Sequence, residues 1–132
     1  MKSTPVIWVV DDDEDDQYLI QHAFKAARPT SSIKAIYDGQ QLLSCLKHAL
    51  ELPQLVLLDL NMPGKDGFEI LEELRKKPAY KQLPVVMLTT SSEESDKTRS
   101  AALGASGFLT KPATLAATVK LFQELCGDCG IS

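Results

Sequence analysis

VIWVVDDDEDDQ, residues 6–17, sets five apolar residues directly against six consecutive acids. The apolar half is continuous, so it reads as a strand buried on both faces, the pattern of a parallel sheet. Like charges repel, and a chain rarely concentrates six of its 18 acids at the mouth of its own core unless something compensates them. The remaining 12 acids face 14 Lys and Arg, so the rest of the chain is net +2 and the acidity is a local feature.

Outward from this stretch, apolar runs recur with helical periods between them. The runs are SIKAIY (32–37), with Ile33, Ala35 and Tyr37 on one face, LVLLDL (55–60), PVVML (84–88) and SGFLT (106–110). Between them, Ile20, Ala23, Phe24 and Ala27 fall at helical spacing, as do Leu42, Leu43, Leu46, Ala49 and Leu50, and then Phe68, Leu71 and Leu74. Asp66 with Glu69 predicts a capped start for that third helix, and Glu72/Lys76 and Glu73/Lys77 predict ion pairs on its exposed face. Ser91 with Glu94 resembles a capping box for a polar fourth helix. Leu115, Val119, Phe122 and Cys126 form the stripe of a fifth. The order βαβαβαβαβα predicts a doubly wound α/β fold with helices on both faces of a five-stranded parallel sheet, read as flavodoxin-like with strand order 2-1-3-4-5.

In such sheets the functional crevice lies beyond the carboxyl ends of the strands. Those ends carry Asp11 and Asp12, then Asp59, then Thr89, then Lys111. With the first and third strands adjacent, the three aspartates converge. Two unit charges 4 Å apart repel by roughly 4 kcal/mol at an effective dielectric of about 20, so the cluster calls for a cation. Oxygen ligands with room for water suit Mg²⁺. Lys111 adds a fixed positive charge and Thr89 a hydroxyl. Together these groups can hold a phosphoryl group on an aspartate, a known covalent intermediate whose transfer needs positioning and charge neutralisation above all.

Over nearly its full length the chain resembles a response-regulator receiver domain. The matching residues are VVDD (9–12), LLDLNMPGKDG (57–67), PVVMLTT (84–90) and GASGFLTKP (104–112). The resemblance implies a phosphoprotein of two-component, phosphorelay signal transduction. In it Asp59 accepts phosphate from a partner histidine kinase, and the protein is not an enzyme beyond its own phosphoryl transfer and autodephosphorylation. It implies an Mg²⁺ site made by Asp12 directly, Asp11 through water, Asp59 and the backbone carbonyl of Asn61. Thr89 and Lys111 are implied to bind phosphoryl oxygens, and Lys111-Pro112 to be cis. Thr89 and the aromatic of the fifth strand form the implied switch. That aromatic is often Tyr in the family and is Phe108 here, which fills the cavity without a hydroxyl. The chain is similar in particular to the stand-alone receivers that partner phytochrome-type histidine kinases. Residues 1–132 are then one receiver domain without an output domain. Its output is docking to a downstream protein, or passing phosphate to a phosphotransfer protein, with homodimerisation through the face of the fourth helix, fifth strand and fifth helix allowed.

Other readings exist for the same residues. Asp11 and Asp12 could cap the first helix, a role that suits residues 13–16 better. Asp59, Thr89 and Lys111 could be ordinary strand-end residues, and Asn61-Met62-Pro63-Gly64 is by itself a turn signature. An EF-hand starting at Asp11 fails, because Asp16 stands where the loop needs Gly and His22 where it needs Glu. A flavodoxin-like FMN site needs a hydroxyl- and Gly-rich loop where this chain has acids. An Asp-nucleophile hydrolase would place a second Asp where Asn61 stands. A receiver fold that docks partners without phosphorylation is the alternative function, which the intact acid, hydroxyl and lysine set argues against. Cys126-Gly127-Asp128-Cys129 is a single CxxC, weak as a zinc signal and read as a helix end stopped by Gly127. His22 and His48 are isolated and read as surface residues.

The 132-residue length fits one domain with a core that needs neither disulfide nor structural metal. Three cysteines, an odd number, argue against a disulfide framework and make the cytoplasm the expected compartment. No basic stripe suggests nucleic acid, Arg75-Lys76-Lys77 being the basic cluster, and no apolar run suggests a membrane span.

Overall fold

A computed structural model describes residues 6–62 and 64–128. Along the chain run β1 (Val6–Val10), α1 (Glu14–Ala27), β2 (Ser32–Ile36), α2 (Gly39–His48), β3 (Leu55–Leu58) and α3 (Gly67–Lys76). A short 3-10 turn (Pro78–Tyr80) precedes β4 (Val85–Thr89), α4 (Glu94–Ala102), β5 (Gly107–Thr110) and α5 (Leu115–Asp128). The strands form one parallel sheet in the order β2-β1-β3-β4-β5, as the alternation predicts.

Alternation along each central strand divides the core in two. Trp8, Val10, Val56, Leu58, Val85 and Met87 face Leu42 and Leu46 of α2 and Phe68, Leu71 and Leu74 of α3. Ile7, Val9, Leu55, Leu57, Val86 and Leu88 face Ile20, Ala23, Phe24 and Ala27 of α1 and Phe122, Leu125 and Cys126 of α5. The Phe24 and Phe122 rings meet at 5.1 Å and join α1 to α5. Each fully buried side chain of this size contributes about 1.5–3 kcal/mol, so the two apolar layers hold the helices to the sheet.

Helix ends follow their capping chemistry, with several departures from expectation. Asp66 and Glu69 form the expected capping box of α3. Glu72 pairs with Lys76, but Glu73 pairs with Lys65 instead of Lys77. The reason is that Lys77 is the C-cap, and its extended backbone takes it off the helical face. Helix α2 stops at His48, short of the predicted stripe, and Leu50 is fully exposed. The chain has to turn back there, and the Gln54 N–H already bonds to the Val6 carbonyl. Tyr37 lies beyond the end of β2 and is exposed, while Ile36 is buried. Leu115 is also exposed at the start of α5.

No capping box forms at α4. Its N-cap is Glu93, without a side-chain bond, while the Ser91 hydroxyl donates to Asp96 at 2.7 Å. This helix is the most loosely seated. Its buried residue is Ser100, whose hydroxyl has no partner, and Arg99 lies over the Phe68 ring at 4.1 Å. Helix α5 continues through Gly127 where a stop was expected. Cys129 and Pro63 lie outside the described residues. Among the described residues no helix is long and apolar enough to cross a membrane.

Candidate functional site

Register sets the site. Val10 pairs with Leu58, and Leu58 with Met87, so Asp11 and Asp59 leave adjacent strands side by side. Thr89 pairs with Thr110, which puts Lys111 just past the same edge, and the Lys111 N–H donates to the Thr89 carbonyl at 2.7 Å. The Asp11 N–H bonds to Ile36 O and the Asp59 N–H to Val10 O, so the sheet ladder fixes both aspartates.

Asp11, Asp12 and Asp59 each offer a carboxylate oxygen, all within 4.8 Å of one another. Asp11 and Asp59 are buried, and Asp12 faces solvent. Lys111 supplies the opposing charge. Its Nζ lies 2.7 Å from Asp11 Oδ2, 2.9 Å from Asp16 Oδ2 and 3.7 Å from Asp59 Oδ1. The remaining Asp11 oxygen accepts from the Asp13 N–H. Asp59 Oδ1 accepts a long bond, 3.4 Å, from the Asn61 N–H.

Electrostatics follow from this crowding. Burial, more than any other cause, pushes the Asp59 carboxyl up to about 6. Lys111 and the Asn61 N–H oppose the rise, and the charges of Asp11 and Asp12 add to it. Asp11 is likewise raised by burial against the pull of Lys111. Burial alone would lower the Lys111 ammonium, but its bonds to Asp11 and Asp16 and the charge of Asp59 hold it well above its ordinary value. The acids therefore have one ammonium among the three carboxylates at the strand ends. A group of oxygens with one member open to water fits a hard divalent cation that keeps part of its water shell.

Thr89 is fully buried, and its Oγ1 accepts from the Ser91 N–H at 3.3 Å. Phe108 is half-buried on β5 and packs against the apolar layer shared with α3. Asn61 is exposed, with its backbone N–H turned to Asp59. The structure thus gathers Asp11, Asp12, Asp59 and Lys111 into one hollow. Thr89 sits on the adjoining strand end, and Phe108 lies farther back along β5.

One expectation fails. Among the described residues no peptide bond is cis, so Lys111-Pro112 is trans. Trans is the lower-energy isomer of X–Pro bonds, and with it Lys111 already reaches Asp11.

Asp13, Asp16, Gln17 and Gly67 shape the site, and of these only the role of Asp13 follows from the sequence. Asp13 caps α1, accepting from the N–H groups of Asp15 and Asp16, as a capping role for the later acids predicts. Asp16, however, pairs with Lys111. Gln17 is buried, and its Nε2 donates to the carbonyls of Val9, Asp11 and Ile36, pinning the start of α1 to β1 and β2. Its one signal was its place three residues before Ile20, on the apolar stripe. Gly67 presses α3 against the site, where an added Cβ would lie 2.6 Å from the Asp59 carbonyl and 2.9 Å from Leu60 Cα.

The chain matches known proteins along most of its length. A family model described as the response regulator receiver domain matches residues 7–123. The response regulator Rcp1 of Synechocystis sp. is 37% identical over 125 residues, covering 91% of this chain and 85% of that protein. The crystal structure of the phosphorylated cyanobacterial phytochrome response regulator RcpA superposes with a TM-score of 0.85 at 32% identity, covering 94% of this chain and 92% of that one. The Mn²⁺-bound form of Rcp1 superposes with a TM-score of 0.80 at 34% identity, covering 93% and 92% of the two chains.

Proposed function

The chain belongs to the response regulator receiver family of two-component signalling, and from that premise we propose that Asp59 accepts a phosphoryl group from the phosphohistidine of a partner kinase. The observation that carries this reading is the placement of Asp59. The residue is 7% exposed, its carboxylate flanked by two further acids and 3.7 Å from a lysine ammonium, at the carboxyl edge of a parallel sheet. Receivers are signalling proteins and not enzymes in the usual sense.

In the transfer an Asp59 oxygen bonds to phosphorus, the phosphorus–nitrogen bond breaks, and the imidazole leaves with the electron pair. Asp11, Asp12, Asp59 and the Asn61 carbonyl are the groups to hold Mg²⁺, which when bound supplies the positive charge that transfer to a carboxylate needs. Lys111 binds one phosphoryl oxygen and Thr89 another. Movement of Thr89 toward the phosphoryl group and repacking of Phe108 then bias the face of α4, β5 and α5 toward a downstream protein or a phosphotransfer protein. A second copy of the chain could use the same face. Similarity to Rcp1 and RcpA supports a phytochrome-type kinase as the donor, and three cysteines, an odd number that makes no disulfide framework, favour the cytoplasm.

Incubation with Mg²⁺ and acetyl phosphate tests the acceptor. The expected result is a mass gain of one phosphate that is lost in Asp59→Asn and in the presence of EDTA. A gain that survives Asp59→Asn, or no gain, contradicts the proposal.

A further inference from the structure

Asp16 belongs to the acidic run whose last four members cap or decorate α1, yet it is tied to Lys111 across 95 residues of chain. An ammonium has three donors. Lys111 gives one to Asp11 Oδ2 at 2.7 Å and one to Asp16 Oδ2 at 2.9 Å, while Asp59 Oδ1 lies beyond bonding range at 3.7 Å. The lysine needed beside the acceptor is therefore held by two other acids, only one of which is part of the carboxylate cluster.

We propose that Asp16 is a positioning residue that competes with the phosphoryl group for Lys111, restraining phosphorylation of Asp59. This rests on the receiver reading of Asp59. When acetyl phosphate is the donor, an Asp59 oxygen bonds to phosphorus, the bridging P–O bond breaks, and acetate leaves with the electron pair. The incoming phosphoryl oxygens carry negative charge, and Lys111 must turn toward them. To do so it gives up a partner. Asp11 is almost wholly buried beside the acceptor and holds the lysine where the phosphoryl group arrives, whereas the Asp16 side chain is 39% exposed and rehydrates on release. Asp16 is thus the partner exchanged. Asp16 and Lys111 line the same cleft of about 250 Å³ with Leu19 and Pro112, which leaves the lysine head room to swing.

Neutralising Asp16 removes the competitor and one negative charge near the entering phosphoryl group, and both effects act in the same direction. The test compares rates of Asp59 phosphorylation by acetyl phosphate, at saturating Mg²⁺, for the wild type, Asp16→Asn, Asp16→Glu and Asp15→Asn. Asp16→Asn is expected to react about two- to five-fold faster, the range in which partly exposed ion pairs act. Asp16→Glu is expected to stay near the wild type. Asp15→Asn, which removes the same charge from the neighbouring exposed position, controls for net charge and is expected to stay there too. In metal-free protein, the NMR signal of the Lys111 ammonium should shift in Asp16→Asn and not in Asp15→Asn. An Asp16→Asn rate equal to or below the wild type, a rise matched by Asp15→Asn, or an Asp16→Glu that behaves like Asp16→Asn overturns the inference while leaving the acceptor reading intact. A wild type that takes no phosphate overturns both.

Discussion

Lys111 connects β5 to acids contributed by β1, β3 and α1. Removing one member of a buried pair strands the other charge, which costs about 3–5 kcal/mol in well-buried cases. Lys111→Met should therefore lower the stability of the metal-free protein at pH 7.5 by about 3 kcal/mol in urea unfolding. The loss should shrink toward pH 4, where Asp11 and Asp59, both raised by burial, take up protons. An equal loss at both pH values would mean that the lysine stem matters more than its charge. The convergence of Asp11, Asp12, Asp59 and Lys111 was legible because each closes an apolar run, and parallel strands bring such ends to one edge. Asp16 and Gln17 were not, because their contacts depend on where α1 begins relative to the sheet. A row of identical acids hides which one points inward.

At the scale of elements, every residue of the apolar stripes read for α1 and α3 is buried, since burial of those positions is what the 3.6-residue period encodes, while Gln17 and Ile70 are buried beside them without having been read. Helix ends were less legible. Leu50 continued the α2 period in sequence but fell in the turn toward β3, and Ser91 Oγ accepts from the Glu93 N–H, ahead of the helix, while donating to Asp96. The helix therefore starts after Glu93 and the expected box with Glu94 does not form. Gly67 belongs to this scale as well, since its missing side chain lets α3 begin against the backbone of Asp59 and Leu60. Gly67→Ala should force that junction apart. The expected cost is about 1–3 kcal/mol, with slower phosphorylation by acetyl phosphate, read by denaturant melts and mass spectrometry on the same samples. Unchanged stability and rate would show that the junction yields without moving the acceptor.

For the whole molecule, the carboxyl edge is held with negative charge that Lys111 only partly offsets. The Asp59 carboxyl sits near 6 in the folded protein against 3.8 ordinarily, so between those values the native state binds a proton that the unfolded chain has released. Stability contributed by this proton is present below about pH 4 and is lost as pH rises through about 6. Metal-free protein should weaken over that window by on the order of 3 kcal/mol. Asp59→Asn should flatten this part of the profile, and a wild-type profile already flat there would contradict the crowding. Mg²⁺ should reverse the loss at neutral pH, by about 2.7 kcal/mol at a hundred times its dissociation constant. The parallel sheet was legible from the alternation of runs, and its order from the flavodoxin-like arrangement of five strands, whereas the trans Lys111-Pro112 bond ran against the expectation drawn from resemblance.

The central claim is that the gathered charges make Asp59 the phosphoryl acceptor. Borohydride reduction tests it most directly, because it converts an acyl phosphate, and not a phosphate ester, to the corresponding alcohol. After treatment with Mg²⁺ and acetyl phosphate, peptide sequencing should find homoserine at position 59. Homoserine at another aspartate, or phosphate retained on Thr89 or Ser91 with Asp59 unmodified, would contradict the account.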